Sequence, residues 1–439
     1  MDAEGNYLYY LPVSEPGNAD ALSGEGASLA FSGYEADTWT GTVERHDGKT
    51  KEITVPILRD KETGQEYLGD LERKVLCADC TDFNTEDSIT PREQENGRWS
   101  DQELLIYDTF LRVYDTYVSA GWHGPDGEGT PTLLLMDWVD DEGEPVANAC
   151  YSGRRHGYQT FQFNRNDPDG ECTDIIAHEF THCVTSTLMN YNLYYNDYGA
   201  INEAMSDICG NLVEDLLGDT EDDTWLIGEG GDEILRSMSD PHLCQQPAYV
   251  WDIYYLPPAE RMTESNDNGG VHRNSSLLNM VAWRLKEAGI APDDHMYFWM
   301  NAALAMTPRT DFAQLTELLP WCLDAAKLSE YQEPIKAAIE EVGIVAAALP
   351  AGDYHAVITC CGLADESYAK IILTDTGWLM VTDEELAEYL GEEDFTPPLD
   401  VENGKVTEPE TDTLIPALED VIELMPREEA VLTEDDPVE

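Results

Sequence analysis

Basic residues are scarce in this chain: 24 lysines and arginines stand against 89 aspartates and glutamates, a formal charge of −65. Contacts to a nucleic-acid backbone need clustered Lys and Arg, so nucleic acid is excluded as a partner. The acidic excess suits the solubility of an extracellular protein; adaptation to salt or capture of calcium is the functional alternative. No apolar run approaches the ~20 residues that cross a bilayer, so no membrane span is expected. The first residues, Met1-Asp2-Ala3-Glu4-Gly5, lack the basic and then apolar segments of a secretory signal. Read literally, that places the protein in the cytoplasm. The alternative is that processing or cloning removed the targeting segment. Cysteine is sparse too: ten residues fall far below the density of a disulfide scaffold. Cys77-Ala78-Asp79-Cys80 has CxxC spacing but no second CxxC accompanies it, so local pairing or free thiols is expected. Cys183 and Cys209 read as small core residues, and the adjacent Cys360-Cys361 is poorly placed to bridge itself. These counts do not decide the redox compartment.

What is present is globular. At 42% hydrophobic and 439 residues, the chain supports two to three domains. Residues 1 to about 40 are turn-rich, with one aromatic run, Tyr7-Leu8-Tyr9-Tyr10, that reads as a lone strand. From Thr40 the alternation predicts strands at Gly41–Glu44 and Glu52–Ile57, with Asp47-Gly48 turning between them. Apolar spacing predicts a helix from about Ser100 to Ala120, followed by strands at Thr132–Asp137 and Tyr158–Phe163. Beyond Asp174 helical periodicity dominates, through Ile201–Leu217, Ser275–Glu287, Met296–Met306, Leu315–Ala326 and Tyr331–Val342, the last closed by Gly343. After Pro350 come strand-like runs at Ala356–Cys360 and Ala369–Thr374 and a short acidic helix near Glu384–Leu390. Residues 396–439, rich in Glu, Asp, Pro and Thr, read as a disordered acidic tail.

The chemistry sits in His178-Glu179-Phe180-Thr181-His182. Histidines at i and i+4 share one helix face, so both imidazoles reach a single metal ion. The intervening glutamate lies beside that metal, placed to take a proton from water. Glu203, twenty-one residues beyond His182 on a second helix, would complete a His2Glu set with one open position.

Several further blocks accompany this motif in order. They are Ile53-Thr54-Val55-Pro56-Ile57, Tyr67-Leu68-Gly69-Asp70, Asn148-Ala149, Asp174 through His182, Gly199 through Asp207, Leu235 through Pro241 and Asp267-Asn268-Gly269-Gly270-Val271-His272. With them the chain resembles the thermolysin family of zinc metalloendopeptidases, from about Thr40 to Val345. The resemblance implies an α+β, two-lobe fold, with a zinc cleft between a β-rich N-terminal lobe (40–185) and a mainly helical C-terminal lobe (186–346). Residues 1–39 would be a propeptide-like remnant and linker, as in a zymogen, because Asp2-Ala3-Glu4-Gly5 is similar to the turn in the last propeptide strand. Residues 347–395 would be a small appendage, and 396–439 the acidic tail.

The resemblance further implies one catalytic zinc on His178, His182 and Glu203, with Glu179 as general base for metal-activated water. Asp207 and Asn202 would fix the rings of His178 and His182 respectively. His272, oriented by Asp267, would stabilise developing negative charge together with a tyrosine. The interval from the second histidine to the glutamate is one residue longer than in the family, so Tyr194 and Tyr195 compete for that role; counting back from Gly199 favours Tyr194. Arg236, Asn148 and Ala149 would hold substrate backbone, and Leu235, Ile175 and Ile227 imply a preference for a bulky apolar residue after the scissile bond. Asp174, Glu214 and Glu229 match the family's calcium carboxylates. Thr224 and Leu226 stand where further carboxylates are expected; Asp222, Asp223 and Asp232 are candidate substitutes, and one calcium is expected rather than two.

The expectation is therefore a secreted zinc endopeptidase acting on proteins or peptides, its oligomeric state not readable from the sequence and a monomer favoured. A catalytically silent binding or adhesion protein on the same scaffold would require loss of a ligand or of the base, and none is lost. A cytoplasmic peptidase of narrow specificity is the third reading.

Overall fold

The computed structural model describes residues 31–344, apart from 81–88, 96, 138–145, 147, 168–170, 190–193, 220–224, 232–233, 251, 257–265 and 308. Beyond 344 it describes the backbone of five short strands. The expected strand at Tyr7–Tyr10, the acidic helix near Glu384–Leu390 and most of the acidic tail lie outside the described residues.

Branched and aromatic residues alternating with polar ones build an eight-stranded sheet. Its strands are β1 (Tyr34–Glu44), β2 (Thr50–Asp60), β3 (Glu66–Asp70), β4 (Val75–Cys80), β5 (Ile89–Pro91), β6 (Thr132–Leu135), β7 (Cys150–Arg155) and β8 (Tyr158–Gln162). The order is β1-β2-β3-β4-β6-β8-β7, with β5 on β4. The pairs β4–β6 and β6–β8 are parallel and the rest antiparallel. β1 starts at Tyr34 and pairs with β2 along its whole length, so residues 34–39 are strand and not linker. Their alternation is obscured by the acidic residues Glu35, which this edge strand exposes, and Asp37, half-buried in an ion pair with Arg59.

Helix α1 (Asp101–Ser119) covers the sheet. Ser100 and Glu103 form a reciprocal capping box at its start, an arrangement that contributes roughly 1 kcal/mol. Phe110 of α1 meets Phe161 of β8 at 5.1 Å and Phe180 of the next helix at 5.6 Å between ring centroids. All three rings are fully buried. This knot ties sheet, α1 and the HExxH helix α2 (Thr173–Leu188) together, and truncating Phe180 would cost about 3–5 kcal/mol.

α2 packs on α3 (Asn196–Leu217), which is buried along most of its length and is the axis of the helical half. Around it stand α4 (Asp267–Asn274), α5 (Ser276–Glu287), α6 (Pro292–Ala305), α7 (Phe312–Ala325) and α8 (Gln332–Val342). α6 opens on proline, α7 on an Asp311–Gln314 capping box, and α8 ends at Gly343 with φ +72°. A two-stranded ladder of β9 (Leu226–Ile227) and β10 (Arg236–Ser237) follows α3. A β-rich N-terminal half and a helical C-terminal half therefore meet at α2 and α3. No described helix is long and apolar enough to cross a membrane.

Beyond residue 344, β11 (Ala356–Cys360), β12 (Ala369–Thr374) and β13 (Gly377–Val381) form an antiparallel sheet. The third strand was not expected from sequence. Within the expected tail, β14 (Asp400–Glu402) pairs with β15 (Lys405–Thr407), a hairpin that the reading as wholly disordered did not include.

Candidate metal centre

α2 presents His178 and His182 one turn apart, and α3 crosses it to present Glu203. The two Nε2 atoms lie 3.0 Å from each other. Glu203 oxygens lie 3.5 Å from Nε2 of His178 and 3.3 Å from that of His182. Four ligands at about 2 Å around a tetrahedral ion stand roughly 3.3 Å apart, so these separations are those of a shared metal.

The other ring nitrogens decide the electrostatics. His178 Nδ1 is 2.9 Å from Asp207 Oδ1, and His182 Nδ1 is 2.7 Å from Asn202 Oδ1. Both partners are acceptors, so both Nδ1 atoms carry the proton and both Nε2 lone pairs face the same point. Glu203 is buried beside them, and its Oε2 accepts no hydrogen bond. Two lone pairs and an unsatisfied buried carboxylate oxygen at one point fit a divalent cation.

Asp207 is the hub of this support. The same Oδ1 accepts from Arg236 Nε at 2.8 Å, and Oδ2 accepts from Asn279 Nδ2 at 2.8 Å. Burial alone would raise the Asp207 carboxyl, but Arg236 and His178 hold it below the usual carboxylate range. Burial likewise opposes the His178 cation, yet the bonds and charges of Asp207 and Glu203 outweigh it and push that ring up to about 10. Glu203 is held well below its ordinary value despite burial, chiefly by the charges of His272 and His182. Each shift marks a site built to hold positive charge.

Glu179 points from α2 towards β7, where its Oε2 accepts the Tyr151 amide at 2.6 Å. That bond fixes the carboxylate beside the histidines. Tyr194 bonds to Glu203 through its hydroxyl, which also lies 3.1 Å from His272 Nε2. Tyr195 instead packs on the core, edge-on to Tyr198 at 5.4 Å.

His272 reaches the site through an unusual backbone. Asp267, Asn268, Gly269 and Gly270 have φ of +54°, +47°, +86° and +88°, a left-handed turn opening α4. Gly269 is required there, because a Cβ would fall 1.9 Å from Asn196 Oδ1. The turn folds the Asp267 carboxylate back onto the amides of His272 and Arg273, at 2.9 and 3.1 Å, and onto His272 Nδ1 at 2.5 Å. Burial would lower the His272 pKa, but Glu203 and Asp267 raise it.

The remaining expected residues divide. Ile175 and Ile227 share a small apolar cluster with Cys172, against which Ala149 packs. Leu235 lies outside it, 43% exposed, although its N–H bonds to the Ile227 carbonyl. Asn148 is exposed, and its Oδ1 accepts the Ala149 amide. Asp174 is buried and accepts the Gly228 amide. Glu214 hydrogen-bonds Glu229; burial and the charges of Asp174 and Glu229 push it up to about 10. Asp222, Asp223, Thr224 and Asp232 lie outside the described residues. Seven cysteines, including Cys77, Cys183 and Cys209, are free thiols.

Two supporting residues escaped the sequence reading. Asn279 of α5 bonds Asp207 from 72 positions away, and Ser206 Oγ lies 3.1 Å from His182 Nδ1. Ser206 was findable, since it lies four residues after Asn202 on the same face of α3. Nothing local marks Asn279.

The family model described as thermolysin metallopeptidase, alpha-helical domain, matches residues 191–344. An extracellular elastase of Staphylococcus epidermidis is 29% identical over 290 residues, covering 62% of this chain and 52% of the relative. A thermolysin of Alicyclobacillus acidocaldarius is 33% identical over 256 residues, covering 53% and 43%. The solved precursor of protealysin, a metalloproteinase from Serratia proteamaculans, is similar with a TM-score of 0.49 at 25% identity, covering 62% of this chain and 87% of that one. The chain spans about half the length of the curated relatives it matches. Its residues 191–344 are thus similar to the alpha-helical domain of the thermolysin metallopeptidases.

Proposed function

We propose that this chain is a zinc-dependent endopeptidase that cleaves peptide bonds with Glu179 as general base. It acts outside the cell, on proteins or peptides carrying a bulky apolar residue after the scissile bond. The observation that carries this reading is the convergence of His178, His182 and Glu203 with Glu179 fixed beside them. Zinc held by those three side chains would supply Lewis acidity, lowering the pKa of water and polarising a carbonyl.

The chain's own residues do the rest. Glu179, oriented by the Tyr151 amide, accepts a proton from the attacking water and returns it to the departing amine. Tyr194 and His272, adjoining at 3.1 Å, donate to the oxygen on which negative charge develops. Asp267 keeps the His272 ring in place and favours its protonated form. Arg236 spends Nε on Asp207, and its terminal nitrogens are the donors offered to a substrate carbonyl. Asn148 and Ala149, at the start of edge strand β7, take substrate backbone by strand addition. Ile175, Ile227 and Leu235 supply the apolar surface for the following side chain.

Secretion is supported by the chain's acidity and by its similarity to a relative named as extracellular. A structural calcium on Asp174, Glu214 and Glu229 is the second part of the proposal. Glu214 Oε2 is buried without a hydrogen bond, in a carboxylate group whose mutual repulsion a cation would relieve.

The test is Glu179→Gln, which should retain zinc and lose most turnover. Sequencing the ends of casein fragments produced by the wild type should show Leu, Ile, Phe or Val after the cut. A variant with near wild-type turnover at saturating substrate would remove Glu179 from its role, and fragments without that preference would remove the apolar pocket.

A further inference from the structure

Edge strand β7 carries a cationic tip that the catalytic reading leaves unused. Among the described residues β7 is the last strand of the sheet and pairs with β8 alone. The Tyr151 amide bonds to Glu179, so the free edge of β7 faces the catalytic carboxylate. From there the strand runs four residues to Arg155, a reach of roughly 13 Å at about 3.3 Å per residue. The register slips between Tyr151 and Arg154, at Gly153 with φ +76°, so the strand re-aims as it leaves the cleft. His156 and Gly157, with φ of +48° and +86°, make the tight turn into β8.

Arg154 and Arg155 are exposed on this tip. Arg154 has a partner within the chain, and arginines such as Arg59, Arg73, Arg92, Arg112, Arg165 and Arg284 lie in ion pairs with the chain's own carboxylates. Among the described residues no carboxylate lies within ion-pair distance of Arg155. In a chain of charge −65, the exposed Arg155 beside Arg154 places positive charge at the end of the sheet edge that runs past Glu179.

We infer that the β7–β8 tip reads acidic side chains of a bound peptide, about four to five residues from the scissile bond and on one side of it only. The inference rests on the proposed peptidase reading, from which it takes the β7 edge as the peptide's path. The occupant is an extended acidic segment, because charge complementarity exists at the tip while the acidic surface elsewhere repels such a segment.

The experiment uses zinc-loaded Glu179→Gln protein and fluorescent peptides built around one apolar residue after the scissile bond. Paired glutamates or paired glutamines stand four and five residues from that bond, on its amino side in one set and its carboxyl side in the other. In one set the glutamate peptide should bind about two- to fivefold more tightly by anisotropy at low salt, the range of exposed ion pairs. The ratio should approach one in about 0.5 M salt, in the Arg154→Gln/Arg155→Gln variant, and for the other set. Arg155→Lys should retain it. Equal affinities in both sets, or a preference that survives the double substitution, would overturn the inference while leaving the peptidase reading intact. Protein that binds none of the peptides and cleaves no casein as wild type would overturn both.

Discussion

Oδ1 of Asp207 lies 2.9 Å from Nδ1 of His178, and the same oxygen accepts Arg236 Nε at 2.8 Å. One carboxylate therefore holds both a proposed metal ligand and the arginine proposed to meet substrate. Asp207→Asn should weaken zinc binding by about 10–100-fold, the usual cost of losing such a partner. Asn279→Ala should act in the same direction more weakly. Chelator competition measures both. Lowered melting temperatures with unchanged zinc affinity would reduce these residues to packing.

His272→Ala should fold and hold zinc, yet lose about 10²–10³ in kcat/KM, the cost of one oxyanion donor. Asp267→Asn should lose less, because it alters only the ring's orientation and charge. Tyr194→Phe tests the second donor, and Tyr195→Phe is the control, because Tyr195 packs on the core. Equal rates per folded molecule for His272→Ala and wild type would remove His272 from the site.

On the proposal of a calcium at Asp174, Glu214 and Glu229, stability should depend on pH and calcium together. Burial raises Asp174 to about 6, and burial with the charges of Asp174 and Glu229 raises Glu214 to about 10, so the native state holds protons that the unfolded chain has released. Without calcium, stability should fall as pH rises, from about 4 to 6 for Asp174 and from about 4.5 to 10 for Glu214. Each pH unit removes up to about 1.4 kcal/mol per such proton. Calcium should flatten this slope and raise the melting temperature more at pH 8 than at pH 5. A melting temperature indifferent to calcium at pH 8 would count against the site.

Periodicity carried much of this structure. His178 and His182 were legible because a helix must bring i and i+4 together, and α3, α5 and α8 because their apolar stripes recur at helical spacing. The boundaries of β1 were not, since this edge strand exposes Glu35 and pairs Asp37 with Arg59, so acidic residues interrupt its apolar pattern. The Asn268-Gly269-Gly270 run announces a turn, but its left-handed closure of Asp267 onto His272 depends on Asn196 pressing against Gly269. Asn279 was invisible because its partner is reached only once α5 packs on α3. Glu203 lay between these cases: its position came from the Gly199–Asp207 block, while its distance from the histidines is a property of the helix crossing.

The central claim is that His178, His182 and Glu203 form one open catalytic metal site. Metal analysis of the purified protein, paired with casein cleavage before and after chelation, tests it most directly. The account predicts close to one zinc per molecule, loss of cleavage on chelation, recovery with added zinc, and loss of both metal and cleavage in His182→Ala. Undiminished cleavage in chelator, or zinc content unchanged by His182→Ala, would contradict it.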